Sequence, residues 1–170
     1  MIPSFLLALV VLSAATPAPP GERAQLRARY RSMERAFGKA GKDTFDEFLD
    51  PEFSASAGPQ VRLSRDKYLG VLVHQSETAL PPVRVRLKPL ELTVDGDEAR
   101  CRVAEDVSYG ARDLAGRPHR VRYTQEYEDR WRKTRRVWRL RSTAYPAEAG
   151  GRWLDGKPAT KTEIKEALGR

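Results

Sequence analysis

Cysteine is almost missing from this 170-residue chain, in which Cys101 stands alone. One thiol closes no internal disulfide. With only two histidines, His74 and His119, at no shared ligand spacing, the sequence offers neither a zinc site nor a redox pair, and no metal or cofactor is expected. Phosphate loops, dinucleotide fingerprints and nucleophile elbows are missing too, which removes the commonest nucleotide and acyl-transfer chemistries. No apolar run approaches the roughly 20 residues a membrane span needs. Neither repeats nor low-complexity blocks appear. What remains, 40% hydrophobic and 32% charged residues, suits one globular domain with its ends, large enough to bury a core.

Acid is the scarcer charge, with 23 Asp and Glu against 31 Lys and Arg and a net charge of +8. The excess is spread over every segment and is not interleaved with exposed aromatics, so it reads as solvated surface and not as a specific nucleic-acid grip. The opening MIPSFLLALVVLSAATPAPP has an apolar centre followed by small residues. Residues 1–15 fit a signal peptide cut between Ala15 and Thr16, with the amino terminus supplying the positive charge that no Lys or Arg provides. Residues 16–22 then form a disordered leader, residues 23–146 the domain, and residues 147–170 a tail. Export to the periplasm or the medium is the expectation.

Three helices come first. Leu26, Tyr30, Met33 and Phe37 recur at helical spacing over residues 24–40. Thr44 and Glu47 make a capping box for a short helix carrying Phe45, Phe48 and Leu49, stopped by Pro51. SASAGPQVRL reads as a loop, and Ser64 caps a third helix with Tyr68, Leu69, Leu72 and Val73 inside.

After Pro82 the period becomes two. Val83, Val85 and Leu87 share a face, and Leu90, Leu92 and Val94 resume it after a slip at Lys88-Pro89, the mark of a β-bulge. Asp95-Gly96 signals a hairpin. The next strands put Ala99, Cys101, Val103, Glu105, Val107 and Tyr109, then His119, Val121, Tyr123, Gln125, Tyr127, Asp129 and Trp131, on one face. A final strand sends Trp138, Leu140, Ser142 and Ala144 inward. The expected register sets Trp131 against Trp138, Tyr127 against Ser142, Glu105 against Tyr123 and Tyr109 against His119. The outer face carries eight arginines: Arg84, Arg86, Arg100, Arg102, Arg120, Arg122, Arg139 and Arg141. In the tail, Thr160 and Glu163 cap a short helix with Ile164 and Leu168, and Trp153 is free to cover the sheet's outside or to dock on a partner.

This order, with the FLDPEF segment and the YEDRWRKTRRVWRLRS hairpin, resembles the nuclear transport factor 2-like superfamily, nearest its polyketide-cyclase-like and ketosteroid-isomerase-like members, over about residues 24–145. The resemblance implies an α+β cone: three N-terminal helices packed in a curved antiparallel sheet, with a cavity at the wide end. It implies a small hydrophobic or aromatic ligand, cofactor-free proton-transfer chemistry in the members that are enzymes, and protein contacts alone in others; the alternative for this chain is a non-enzymatic interaction module that uses the arginine-rich sheet face or the C-terminal tail. It also implies homodimers through the outer sheet face, which the arginines oppose.

Glu105 is the most informative candidate for chemistry. An inward carboxylate among valines either neutralises, which suits it to proton transfer, or pairs with a cation such as Arg31. Tyr123 and Tyr109 are its candidate hydroxyl partners. Tyr30, Tyr68, Leu72, Tyr127, Gln125, Trp138 and Ser142 complete the expected cavity wall, the alternative being an ordinary core with its hydroxyls bonded. Asp129, between tryptophan rows, is expected to accept an indole N–H. His119 falls near the cavity mouth, and His74 at a helix end where it complements the dipole. The isomerase pattern of two acids and a tyrosine is matched only by Glu105 and Tyr123.

Overall fold

The computed structural model describes residues 20–37, 42–146 and 150–169. The proposed signal peptide lies outside them. Helix α1 (Pro20–Ala36) begins inside the segment read as leader. Glu22 explains why: its carboxylate accepts from Lys133 Nζ at 2.6 Å and from the Trp138 indole at 2.8 Å, fixing the first turn to the sheet. Leu26 and Tyr30 are fully buried along the expected stripe, and Met33 and Phe37 half-buried. Helix α2 (Lys42–Asp46) starts ahead of Thr44, so that residue is not its cap.

The segment read as a loop is a hairpin. Strands β1 (Leu49–Ala57) and β2 (Val61–Ser64) pair antiparallel around Gly58, whose φ of +64° suits a residue without Cβ. Pro51 does not end a helix but kinks β1. There Asp50 Oδ1 accepts the Glu52 N–H at 2.9 Å, and the register against the neighbouring strand shifts. Helix α3 (Arg65–Thr78) follows Ser64, which has an extended N-cap backbone but whose hydroxyl accepts no capping hydrogen bond. It packs across β1, where Ala55 keeps the surface low.

Strands β3 (Leu80–Asp95), β4 (Glu98–Arg112), β5 (Pro118–Thr134) and β6 (Val137–Tyr145) form the body of the sheet. The order is β2-β1-β6-β5-β4-β3, and β1 runs parallel to β6, so the curved sheet is mixed and not purely antiparallel. The bulge expected at Lys88-Pro89 is found between Pro89 and Glu91. Parity holds on β4 and β5: Ala99, Cys101, Val103, Glu105, Val107, Tyr127, Asp129 and Trp131 are buried, while Arg100, Arg102 and Arg122 are exposed.

Register differs from expectation by two residues. Glu105 faces Gln125, Tyr123 faces Val107, Tyr109 faces Val121 and Trp131 faces Leu140. A second bulge skips Arg141, because Arg130 pairs with Ser142 while Trp131 pairs with Leu140. Beyond it the face reverses, so Thr143 is buried and Ala144 exposed. The tight turn joining β5 to β6 holds Arg135 and Arg136 at φ +49° and +66°. Such left-handed residues cost about 1–2 kcal/mol each, a penalty that Asn-Gly usually avoids in this turn.

The tail joins the sheet. Strand β7 (Arg152–Leu154) pairs with β5 along Val121–Tyr123, the part of β5 that β6 leaves free, and with β8 (Lys157–Pro158). Helix α4 (Lys161–Leu168) has the expected capping box, with the Thr160 hydroxyl accepting from Glu163 N at 3.1 Å. Leu168 is buried against Ala111 and Val121. No helix among the described residues is long and apolar enough to cross a membrane.

Candidate functional site: a cavity over Glu105

Helices α1, α2 and α3 leave a cavity of about 470 Å³ against the inner face of the sheet, a size suited to a small organic ligand. Met33 of α1, Phe37 just past its end, Phe45 of α2 and Leu72 of α3 form its apolar wall. Glu105, Tyr123, Gln125 and Tyr127 line it from β4 and β5. An aromatic chain completes it. Phe53 lies against Tyr68 at 4.9 Å, Tyr68 and Tyr145 share a hydrogen bond at 2.9 Å between hydroxyls, and Tyr145 lies against Tyr127 at 4.9 Å.

Glu105 sits mid-strand between Leu87 of β3 and Gln125 of β5. Its side chain is 7% exposed and takes one hydrogen bond, from the Gln125 amide. No ion pair reaches it among the described residues, and Arg31, its expected partner, is exposed on α1. Burial therefore dominates and lifts its pKa to about 7, the Gln125 bond offsetting part of the rise. At neutral pH such a group both gives and takes protons. Gln125 suits either state, since an amide donates to a carboxylate and, turned over, accepts from an acid. The Tyr123 hydroxyl has no hydrogen-bond partner among the described residues and is held un-ionised by burial and the nearby Glu105.

Six expected residues, Glu105, Tyr123, Tyr68, Leu72, Gln125 and Tyr127, thus line one space. The other four lie elsewhere. Ser142 is turned to the opposite face by the Arg141 bulge, and Tyr145 has the inward place two strand positions beyond Thr143. Trp138, set opposite Lys133 by the shifted register, is buried at the closed end with its indole on Glu22. Tyr109 packs with Val121, Leu154 and Ile164 in the cluster under α4. Tyr30 is buried away from the cavity, where its hydroxyl donates to Asp129 Oδ2 and accepts from Trp131 Nε1, both at 2.8 Å. Asp129 therefore meets the indole through one intervening hydroxyl instead of directly, and its other oxygen accepts from Thr143 at 2.7 Å. Complete burial without a cation raises its pKa to about 7.

His119 is also outside the cavity. It bonds Asp155 at 2.8 Å and lies 3.6 Å from Asp113, tying the β7–β8 turn to the start of β5. Sequence reasoning missed Tyr145, Gln75, Arg152 and Lys161 on the cavity wall. Tyr145 carried a signal, being an aromatic side chain out of phase with Trp138 and Leu140. Among the described residues no group of three His, Cys, Asp or Glu side chains is arranged to hold a metal ion.

No protein-family model matches the sequence, and no curated protein does. Solved structures are similar in fold. A conserved protein from Planctomyces limnophilus superposes with a TM-score of 0.64 at 9% identity, over 75% of this chain and 97% of that one. A proposed dehydratase of the nuclear transport factor 2-like family from Streptomyces avermitilis gives 0.62 at 17% identity, over 76% and 97%. A proposed aromatic ring hydroxylase from Novosphingobium aromaticivorans gives 0.63 at 13% identity, over 82% and 96%. Helices packed on one face of a curved mixed sheet, with these likenesses spanning about three quarters of the residues, give the chain the nuclear transport factor 2-like fold.

Proposed function

We propose that the domain binds a small apolar or aromatic molecule in the cavity and moves a proton on it without a cofactor. Glu105 is the general acid and base, and the Tyr123 hydroxyl is a hydrogen-bond donor to oxygen on the substrate. The observation that carries this reading is the isolation of Glu105: a buried carboxyl facing a cavity, held by one amide and by no ion pair among the described residues, so that burial raises its pKa. A carboxylate of that pKa abstracts a proton and, as the acid, returns it to another atom of the same molecule, so isomerisation, cyclisation or dehydration needs no outside reactant. The tyrosine donor would stabilise the enolate-like oxygen formed between the two transfers.

A thermal-shift screen with small aromatic ketones, lactones and phenols tests the binding half. Ligands bound at about a hundred times their Kd should raise the unfolding free energy by about 2.7 kcal/mol. Responses that vanish when Leu72 is enlarged to Trp would support the cavity. No response from any compound would sink the reading.

Export is part of the proposal and is supported by the sequence of residues 1–15 alone. N-terminal sequencing of protein recovered outside the cytoplasm should begin at Thr16. Full-length protein confined to the cytoplasm would refute export.

A further inference from the structure

Arg152 and Lys161 are the cationic side chains on the cavity wall, and both belong to the segment that follows β6. Register brings Arg152 there. It stands directly opposite Tyr123 in the β5–β7 pair, and residues opposed across an antiparallel pair share a face. Tyr123 looks into the cavity, so Arg152 does as well. Trp153 takes the outer face, where the Arg122 guanidinium lies 5.0 Å from its ring centre. Lys161 enters from the first turn of α4.

The segment holding these cations is fixed at several points. Thr124 N–H donates to Gly151 O at 2.9 Å, and Ala159 N–H to Arg152 O at 2.9 Å. Asp155 accepts from Arg120 N at 2.7 Å and bonds His119. Gly150 passes so close to β5 that a Cβ there would lie 3.0 Å from the Thr124 carbonyl carbon.

Neither cation is engaged by a described residue. Arg102, Arg122, Arg132 and Lys133 all reach carboxylates, whereas the side chains of Arg152 and Lys161 have no ion pair or hydrogen bond among the described residues. Glu105, the carboxyl in the same cavity, is bonded to Gln125 and to neither of them. Two cations without a partner among the described residues, in a space walled otherwise by apolar and aromatic side chains with Gln75, Gln125 and Glu105, match a ligand that is largely apolar with one anionic end.

We propose that the ligand is an amphipathic carboxylate, its apolar body among Phe37, Phe45, Phe48, Leu72 and Tyr127 and its carboxylate at the mouth against Arg152 and Lys161. This rests on the cavity reading above and adds the ligand's charge and orientation. Tyr123, opposite Arg152, and Gln125, opposite Glu105, are two residues apart on β5, about 7 Å along the strand. Glu105 and Arg152 also stand on opposite sides of β5, about 10 Å apart across the sheet, so a carboxylate at Arg152 sets Glu105 against the ligand's body and not its head group.

Isothermal titration at pH 7 tests it with matched probes: 2-naphthoate and decanoate against 2-naphthamide and decanamide. The acids should bind roughly tenfold tighter than their amides, and that margin should shrink as NaCl rises from about 0.02 to 0.5 M. In R152A/K161A the margin should disappear while amide affinity stays within roughly twofold. K161A alone changes an exposed residue, so part of the margin should go even if the double variant folds poorly. Equal binding of acids and amides to the wild-type protein would overturn the carboxylate assignment and leave the cavity reading standing. An acid preference that survives both high salt and the double substitution would overturn the assignment to these residues. No binding of any probe would bring down both.

Discussion

Tyr30→Phe is expected to lower the unfolding free energy by about 2–5 kcal/mol although it removes a single oxygen atom. That oxygen is the middle of a chain: Trp131 Nε1 donates to it, and it donates to Asp129 Oδ2. Tyr30, Trp131 and Asp129 are all at most 1% exposed, so water cannot replace the lost partner. The variant leaves one indole donor and one carboxyl oxygen unsatisfied, and each buried orphan costs about 1–3 kcal/mol. Thr143→Val removes the other donor to Asp129. Combined with Tyr30→Phe it should destabilise more than the sum of the two, because Asp129 then has no donor at either oxygen. Urea denaturation of the four proteins gives the answer. A loss below about 1 kcal/mol for Tyr30→Phe, additive with Thr143→Val, would mean the chain of bonds does not hold the closed end together.

Glu105→Gln is expected to make the protein more stable at pH 8. The folded pKa of about 7 lies above the ordinary value of 4.5, so between those limits the folded state holds a proton that the unfolded state has released. Stability from this group is therefore complete below about pH 4.5, declines as pH rises, and is lost once pH passes about 7. Glutamine has the shape of the protonated acid and does not titrate. The gain at pH 8 is capped at about 3.5 kcal/mol, from about 1.4 kcal/mol for each pH unit between 4.5 and 7. Asp129 has the same sign, rising from 3.8 to about 7, so the variant should flatten the pH profile only in part. Glu105→Gln with Asp129→Asn should flatten it further, leaving the loss with rising pH that His119 contributes through its bond to Asp155. Urea midpoints across pH 5 to 8 measure this. A side chain that weakens the fold where it is charged, and that a neutral isostere improves, behaves as a functional group and not as part of the scaffold. Loss of turnover in the same variant would complete that argument.

Much of the fold was legible in the chain because side-chain period survives register errors. Alternation along β4 and β5 placed Glu105, Tyr123, Gln125 and Tyr127 inward even though each partner was misjudged by two residues, an even slip that keeps the face. Pro89 announced the first bulge. Nothing announced the second, since Arg141 is neither glycine nor proline, and that odd slip sent Ser142 outward and brought in Thr143 and Tyr145. Strand β1 was missed because Ser54, Ala55, Ser56 and Ala57 have little β preference of their own. Its place is set by pairing with β6 and by the need for small residues under α3. Strand β7 is three residues long, too short for any periodicity, so Arg152 came into the cavity unseen. Tyr30 and Trp138 were rightly read as buried, but burial alone does not distinguish the closed end of the fold from its hollow end.

Glu105 is buried against the cavity, bonded to Gln125 and in ion-pair contact with no cation among the described residues. Titration of its side-chain carboxyl carbon by NMR, assigned by comparison with Glu105→Gln, tests that claim most directly. A midpoint at about 7 is the predicted result. A midpoint at or below the ordinary 4.5 would place a cation or free water against the carboxylate and contradict it.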